Sequence, residues 1–240
     1  MPTDELSPSG LPADALTTLA TAEIVLEGRM PWASNATFLV HLGDSGAKGI
    51  YKPIRGERPL WDFEPGLYRR EIAAYRLSEA MALGVVPPTV LRSDGPLGEG
   101  SVQWFVEADH REHYFTIAEQ RPELHDQLRA VAVFDVVANN TDRKSGHCLL
   151  AGDRVWAIDN GLCFAPDFKL RTVIWEFAGE ELTARQLAAV TSLAECVPPD
   201  VAEMIAPIEV EAMQRRAGWL AEHGVLPGDD SGGRYPWPLV

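Results

Sequence analysis

The feature that most restricts the fold of this sequence is a short polar segment enclosed by apolar ones. Residues 139–150 read NNTDRKSGHCLL; they directly follow AVAVFDVVA and lead into the strand-like HCLLAGDRVWAID. Loops held between rigid elements commonly carry functional residues. The apolar residues of AVAVFDVVA cover nearly all faces of a helix, which indicates that this helix is buried. The pattern therefore predicts a functional loop between a buried helix and a strand.

The segment after this loop predicts a β-hairpin that turns at Gly152 and Asp153. Antiparallel pairing puts the residues before the first strand and after the second strand at one end, so Asp142 and Asp159 should be neighbours. Two neighbouring carboxylates repel each other unless a cation lies between them or one is protonated. Magnesium takes such carboxylates together with phosphate oxygens. Two solvated aspartates that cap a turn and end a strand are the alternative.

A second pair of charged residues lies in the first half of the chain. Glu71, in the helical segment GLYRREIAAYRLSEAMALG, falls on the same apolar sector as Leu67 and Tyr75. A carboxylate on that sector needs a cation or hydrogen-bond donors. Lys52, in the preceding strand segment GIYKP, could supply the cation. The pattern predicts an internal ion pair, and a solvated strand lysine is the alternative.

The secondary-structure pattern changes near residue 110, from short β-rich segments around one helix to mainly helical segments. This change predicts an α+β protein with two lobes. We expect a flexible segment at 1–20, a strand-rich lobe at 21–108, a mainly helical lobe at 109–228 and a tail at 229–240.

Composition limits the partners of the chain. Among 240 residues, 21 are basic and 35 acidic, giving a net charge of −14 that repels nucleic acid and anionic membranes. We expect no nucleic-acid partner and no stable membrane association. Cys148, Cys163 and Cys196 form no CxxC pair and lie in apolar contexts, which is typical of buried thiols in a reducing compartment. With no leader pattern and no apolar run of roughly 20 residues, a cytoplasmic protein is expected.

The order of these residues resembles that of the protein-kinase-like superfamily: a strand lysine, a helix glutamate, a loop aspartate, a hairpin and an aspartate before glycine. The intervals are 19 residues from Lys52 to Glu71 and 17 from Asp142 to Asp159. FDVVANNTDRKSGH followed by VWAIDNGLCF resembles the atypical phosphatidylinositol 3- and 4-kinase branch, especially type II lipid kinases and HipA-type bacterial kinases. The sequence also resembles a group of small actinobacterial proteins that are related to those lipid kinases. The resemblance covers roughly residues 22–165.

This resemblance implies a two-lobed kinase-like fold, with an antiparallel sheet and one key helix in the N-terminal lobe and a mainly helical C-terminal lobe. It implies that Lys52 holds the phosphates of ATP and that Glu71 orients Lys52. It further implies that Asp142 orients or deprotonates an acceptor hydroxyl, and that Asp159 binds magnesium. The expected activity is phosphate transfer from ATP to a hydroxyl on a protein or a small molecule.

Some positions depart from the family pattern. His147 stands where these kinases usually place a metal-binding asparagine; it could ligate metal, contact phosphate or serve only the fold, and Asn140 could supply the missing oxygen. No GxGxxG is present, so Ser34 and Asn35 in EGRMPWASNATF are the candidate phosphate cradle, with a plain hairpin turn as the alternative. Residues 103–107, ending at Glu107, are expected on the adenine side.

Other functions remain open at this stage. A pseudokinase that binds nucleotide as a regulatory or interaction module is the main alternative, because of His147 and the missing glycine loop. Transfer of AMP instead of phosphate is compatible with the same fold. A non-nucleotide α+β domain is the least specific alternative.

Overall fold

The computed structural model describes residues 11–31, 33 and 35–239. Its N-terminal lobe is built on a five-stranded antiparallel sheet with the strand order β1-β2-β3-β5-β4. Short β-rich segments separated by turns form this sheet, in agreement with the sequence pattern. The strands are β1 (Ile24–Arg29), β2 (Phe38–Leu42), β3 (Ala47–Pro53), β4 (Thr89–Arg92) and β5 (Gly100–Trp104).

Two helices pack in this lobe, α1 (Ala15–Thr21) and α2 (Leu67–Ala80). Leu19 of α1 is fully buried in one cluster with Val40, Tyr51 and Val102 of the sheet. Arg92 Nη1 donates to the carbonyls of Leu19 and Ala22, which lack partners at a helix end. Residues 15–20 were expected to be flexible, but burial of Leu19 and these hydrogen bonds hold them on the sheet.

The C-terminal lobe is mainly helical and contains one hairpin. Its central helix is buried nearly all round, as its apolar sequence predicts; Val131, Val133, Phe134 and Val137 have no exposed surface. The elements are α3 (Tyr114–Gln120), α4 (His125–Ala138), β6 (Cys148–Ala151), β7 (Arg154–Ala157), α5 (Ala184–Glu195), α6 (Pro199–Ala202) and α7 (Pro207–His223).

The hairpin has the expected register. Cys148 pairs with Ala157 and Ala151 pairs with Arg154, so the turn lies at residues 152–153. The loop before β6 and the segment after β7 therefore meet at one end of the hairpin. This arrangement confirms the α+β organisation and brings the two polar segments together.

The C-terminal tail and the cysteines complete the fold. The C-terminal tail is docked, since Arg234 O accepts from Thr172 N at 3.1 Å and Leu239 O accepts from Ser145 N at 2.8 Å. Cys148 and Cys163 are buried as expected, but Cys196, which follows the last turn of α5, is exposed. In the described part of the chain, none of the helices combines the length and apolar character needed to cross a membrane.

Candidate active site

The structure brings Lys52 of β3 and Glu71 of α2 into contact. Lys52 Nζ donates to Glu71 Oε1 and also to Asp159 Oδ1, the latter at 2.8 Å. Side-chain exposure is 20% for Lys52 and 3% for Glu71, so solvent screens this pair weakly. Burial by itself would lower the pKa of Lys52, but the carboxylates of Asp159 and Glu71 outweigh it and raise that pKa. Lys52 is therefore a cation that joins the two lobes.

Glu71 also holds the backbone of the segment after β7. Its Oε2 accepts from the N–H of Asn160 at 3.0 Å, and Asn160 is fully buried. A Cβ on Gly161 would lie 3.3 Å from Glu71 Oε1, so the glycine permits this close approach. Sequence reasoning assigned Glu71 only to Lys52. The structure adds that Glu71 positions the backbone beside Asp159.

A buried arginine supports the loop between α4 and β6. Arg143 has no exposed surface; its Nε and Nη2 donate to the carboxylate of Asp135 at 2.9–3.1 Å. Its Nη1 donates to Ile158 O at 2.7 Å and its Nη2 to Asn160 Oδ1 at 2.7 Å. The sequence analysis did not identify Arg143 as the partner of Asp135. This network joins α4, the loop and the residues that flank Asp159.

Asp142 lies in that loop with a partly exposed side chain. Its N–H donates to Asn140 Oδ1 at 3.0 Å, and Lys144 Nζ lies 3.3 Å from its Oδ2. Burial raises the pKa of the Asp142 carboxyl, while the Lys144 ammonium opposes this shift. Sequence reasoning missed Lys144, although its position two residues after Asp142 was a usable signal.

Asp159 directly follows β7 and adopts a left-handed backbone conformation, with φ of +58°. Non-glycine residues in this region are uncommon and recur at functional sites. The Lys52 ammonium holds the pKa of the Asp159 carboxyl well below its usual range, so the carboxylate is ionised at neutral pH. Its side chain is 54% exposed, which leaves it accessible from the cleft.

His147 stands beside Asp159 in a short 3-10 turn at Ser145–His147. Its Nε2 lies 3.5 Å from Asp159 Oδ2, and its Nδ1 accepts from Lys144 N at 3.4 Å. Burial lowers the pKa of His147 to about 4, so the ring is neutral at pH 7. A neutral ring whose Nδ1 accepts carries its proton on Nε2, which makes Nε2 a donor towards Asp159. This geometry favours a hydrogen-bonding role for His147 over metal ligation.

Asn140 forms hydrogen bonds within the loop that carries Asp142. Its Nδ2 donates to Asp135 Oδ1 at 3.1 Å, its Oδ1 accepts from Asp142 N, and the residue is 1% exposed. The oxygen closes a turn two residues ahead, a common use of asparagine in loops. Asn140 therefore shapes the loop around Asp142, and its role as a metal ligand stays a prediction.

The remaining candidates flank the cleft or fall outside the description. Ser34 lies outside the described residues. Asn35 lines the cavity, and its Oδ1 accepts from Arg58 N at 2.9 Å. Glu107 is exposed, two residues after Phe105, whose N–H donates to Lys48 O. The structure thus gathers Asn35 with Lys52, Glu71, Asp142 and Asp159, and leaves Glu107 at the surface.

The charged residues open onto one cavity of about 90 Å³ between the two lobes. The connection between β1 and β2 forms its roof through Ala33, Asn35, Ala36 and Thr37. Pockets that hold whole drug-sized ligands are usually about 300–1,000 Å³. This cavity has the size of a phosphate group rather than of a nucleotide. A separate apolar cluster, formed by Val106, Leu149 and Trp156 with Ile158 packed against them, adjoins Asp159 in sequence.

The cavity offers two carboxylates, Asp142 and Asp159, to a magnesium ion. Among the residues that the structure describes, no group of three or more His, Cys, Asp and Glu side chains could hold a metal ion. Asp142 and Asp159 nevertheless line the same cavity. Magnesium keeps several waters and binds through one or two carboxylates plus substrate phosphates. The two carboxylates therefore fit an ion that arrives with phosphate rather than a resident metal.

Comparison with solved structures defines the class of fold. The crystal structure of the Golgi casein kinase with Mn/ADP bound is 14% identical, with a TM-score of 0.54 over 94% of this chain and 79% of that chain. The structure of hydra Fam20 with sugar is 14% identical, with a TM-score of 0.50 over 87% of this chain and 86% of that chain. The protein therefore has a kinase-like fold.

Comparison with known sequences defines the family. Protein Rv2133c of Mycobacterium tuberculosis (strain ATCC 25618 / H37Rv) is 37% identical over 260 residues, which cover 92% of this chain and 93% of the relative. The chain therefore belongs to the same family as Rv2133c. No protein-family model matches the sequence.

Proposed function

We propose that this protein is an ATP- and magnesium-dependent phosphotransferase that acts on a hydroxyl of a protein or small molecule. One observation carries the proposal: Lys52 Nζ lies between the carboxylates of Glu71 and Asp159, in a cavity that Asp142 also lines. Under this proposal, residues 21–108 are the phosphate-binding lobe and residues 109–228 the catalytic lobe. The kinase-like fold supports the same conclusion.

The proposed roles follow from the contacts. Lys52 would replace its contact with Asp159 by a contact with a phosphate oxygen, while Glu71 keeps the Lys52 ammonium in place. Asp159 would hold magnesium, which neutralises phosphate charge when it is bound. Asp142 would accept the hydrogen bond of the acceptor hydroxyl and hold it in line for transfer. Lys144 and the Nε2–H of His147 would contact transferred phosphate oxygens from the loop side.

The base of ATP would lie on the apolar cluster of Val106, Leu149, Trp156 and Ile158. We infer an atypical kinase of the kind suggested by the FDVVANNTDRKSGH loop, related to phosphatidylinositol 3-/4-kinases and HipA-type kinases. A net charge of −14 argues against a lipid-surface or nucleic-acid acceptor. The cytoplasm, where ATP and magnesium are available, is the proposed location.

The first experiment is a thermal-shift titration with ATP, with and without magnesium. Wild-type protein should gain roughly 2.7 kcal/mol at about 100 times the dissociation constant, which moves the midpoint by several degrees. Asp159→Ala should lose the magnesium-dependent part of the shift. Asp44→Asn, an exposed aspartate in the β2–β3 turn, is the matched control and should behave as wild type. If no nucleotide shifts the unfolding midpoint of the wild type, the proposal is contradicted.

Turnover is tested by incubating the protein with ATP and candidate acceptors and measuring the masses of the products by mass spectrometry. A mass gain of one phosphate that disappears in Asp142→Asn supports kinase activity, whereas a gain of one AMP would assign the other transfer reaction. Autophosphorylation would give the same gain on the chain itself.

His147 favours a second candidate, a nucleotide-binding pseudokinase that acts as a regulatory or interaction module. A neutral ring that donates to Asp159 leaves this position without the oxygen ligand of a second metal. This candidate expects nucleotide binding with no transfer. Under it, Asp142→Asn would leave the biological activity of the protein intact.

A further inference from the structure

A pocket of about 460 Å³ lies in the C-terminal lobe, outside the candidate active site. Its walls come from α7, from residues 166 and 168, and from residues 227–234 of the docked tail. The volume is within the range of about 300–1,000 Å³ that small-molecule sites occupy. The charge of its lining differs from that of the rest of this acidic chain.

The charge of the pocket is opposite to that of the protein. Arg215, Arg216 and Arg234 line it, against a single acidic residue, Asp230. The chain as a whole carries a net charge of −14. Arg215 Nη1 lies 4.0 Å from the exposed carboxylate of Glu211, and Arg234 Nε lies 3.9 Å from the buried carboxylate of Asp229. The exposed Arg215–Glu211 pair is weak, and Arg234 is 43% exposed and beyond hydrogen-bonding distance of Asp229, so both guanidiniums can donate to another anion.

Arg216 differs from the other buried arginines of the described chain. Each of the others has a carboxylate within 3.0 Å, whereas no carboxylate of the described residues forms an ion pair with Arg216. The paired arginines are Arg70 with Glu209, Arg92 with Asp94 and Arg143 with Asp135. The other buried arginines of the described chain are therefore each paired with a carboxylate, and Arg216 in the pocket is the exception.

The contacts of Arg216 are all with uncharged groups. Its Nε donates to Val137 O at 2.9 Å and its Nη1 to Ala165 O at 3.4 Å, while its buried Nη2 has no hydrogen-bond partner among the described residues. Burial lowers the pKa of Arg216 to about 10, which reflects the cost of an uncompensated cation. A bound anion would offset that cost.

Aromatic side chains lie beside these cations. Phe168 is 46% exposed and Trp219 is 40% exposed, which is high for rings of this size. The guanidinium of Arg234 lies 4.9 Å from the centre of the Phe168 ring, and Trp219 stacks on His223. Flat apolar surfaces next to guanidinium groups suit a ligand that has both an anionic and a flat apolar part.

We propose that this pocket binds a small phosphate monoester whose phosphate contacts the three arginines and whose flat apolar group lies against Trp219 and Phe168. A phosphate monoester carries a charge of about −1.5 to −2 at pH 7, opposite in sign to the three arginines that line the pocket. Arginine is suited to phosphate oxygens because its planar guanidinium donates in pairs. This site is separate from the cavity of Lys52 and Asp159, since the two share no lining residue.

The pocket adjoins the segment that supports the loop of Asp142. Asn139 Nδ2 donates to Ala165 O at 2.8 Å and to Asp167 O at 2.7 Å, and Lys169 N donates to Asn139 Oδ1 at 2.9 Å. Ala165 O is also the acceptor of Arg216 Nη1. The proposed ligand would thus lie against the residues that fix the beginning of this loop.

The test is isothermal titration calorimetry of the full chain with phenyl phosphate, without nucleotide and at low ionic strength. We expect one saturable site, with at least fivefold weaker binding in Arg215→Gln and in Arg234→Gln. Both side chains are exposed, so these variants should fold. Arg111→Gln, at an arginine that is 89% exposed elsewhere on this lobe, is the matched control and should change the affinity less than twofold. Trp219→Ala should remove the preference for phenyl phosphate over inorganic phosphate.

Four results would overturn the proposal. The first is no saturable binding of phenyl phosphate at millimolar concentration. The second is an affinity unchanged in both arginine variants. The third is binding that is lost in Lys52→Met but kept in Arg234→Gln, which would put the anion in the candidate active site. Benzoate binding as tightly as phenyl phosphate would overturn the assignment to a phosphate monoester. These outcomes do not depend on phosphotransferase activity.

Discussion

Arg143 and Asp135 form an ion pair with no solvent exposure at the base of the loop that carries Asp142. The carboxylate also accepts from Asn140 Nδ2, and the guanidinium also donates to Ile158 O and to Asn160. A buried pair offsets the cost of removing two charges from water only when such additional hydrogen bonds are present. The pair therefore fixes the position of Asp142 relative to Asp159.

Replacing Arg143 should destabilise the protein strongly. Arg143→Met leaves the Asp135 carboxylate buried without its cation, a change that typically costs about 3–5 kcal/mol. Urea denaturation measures the loss in free energy of unfolding. The double variant Asp135→Leu, Arg143→Met should recover part of it, because neither charge remains. Arg111→Gln should stay within about 0.5 kcal/mol of wild type. A loss below about 1 kcal/mol in Arg143→Met would contradict this account.

Lys52 should control how stability depends on pH through Asp159. The pKa of the Asp159 carboxyl is below its unfolded value of about 3.9, so its contribution is complete above that pH and is lost as the pH falls through the native pKa. In Lys52→Met, the free energy of unfolding should decrease less between pH 7 and pH 3 than it does in the wild type. Lys48→Met, on the same strand with an exposed ion pair to Glu27, is the control. The same pH dependence in both variants would show that Lys52 is not the cause.

The pairings in the candidate site followed from local rules. Helical periodicity placed Glu71 on an apolar sector, and hairpin geometry placed Asp142 and Asp159 at one end of β6 and β7. Both rules depend on short stretches of chain, where spacing largely determines position. The same rules gave the class of fold, because β-rich and helical segments are separated along the chain.

The contacts that the sequence did not predict depend on how distant parts of the chain come together in the fold. Arg143 reaches Asp135 only because the chain turns back on itself after α4, and Arg216 lines a pocket only because the tail docks beside α7. The hydrogen bond from Asp142 N to Asn140 Oδ1 was not predicted either, although asparagine often closes a turn two residues ahead.

His147 should make the protein less stable as the pH falls. Its native pKa of about 4 lies below the unfolded value of about 6.5, so the unfolded chain binds a proton that the native ring excludes. Stability should decrease between about pH 6.5 and pH 4, by up to about 3 kcal/mol at 1.36 kcal/mol per unit. His147→Gln should remove this part of the slope in denaturation curves, and His110→Gln, at an exposed histidine, should not. Equal slopes in the two variants would refute the assignment.

Glu57 should stabilise the helix that carries Glu71. The N-cap of α2 is Gly66, which has no side chain to cap the helix; instead Glu57 Oε2 accepts from Gly66 N at 2.7 Å and Oε1 accepts from Tyr68 N at 3.2 Å. Loss of a side-chain cap costs about 1 kcal/mol. The Glu57 carboxylate also interacts favourably with the positive end of the helix dipole. Glu57→Ala should therefore reduce the free energy of unfolding by about 1–2 kcal/mol.

The same substitution should weaken nucleotide binding, because a frayed first turn of α2 moves Glu71 relative to Lys52. Glu57→Gln, whose amide oxygen can still accept from one N–H, should lose less than Glu57→Ala in both measurements. Glu64→Ala, at an exposed glutamate of the same connection, separates capping from a simple change of charge. If Glu57→Ala is as stable as Glu64→Ala and shows the same thermal shift with ATP, α2 is positioned by its packing on β4 and β5 rather than by this cap.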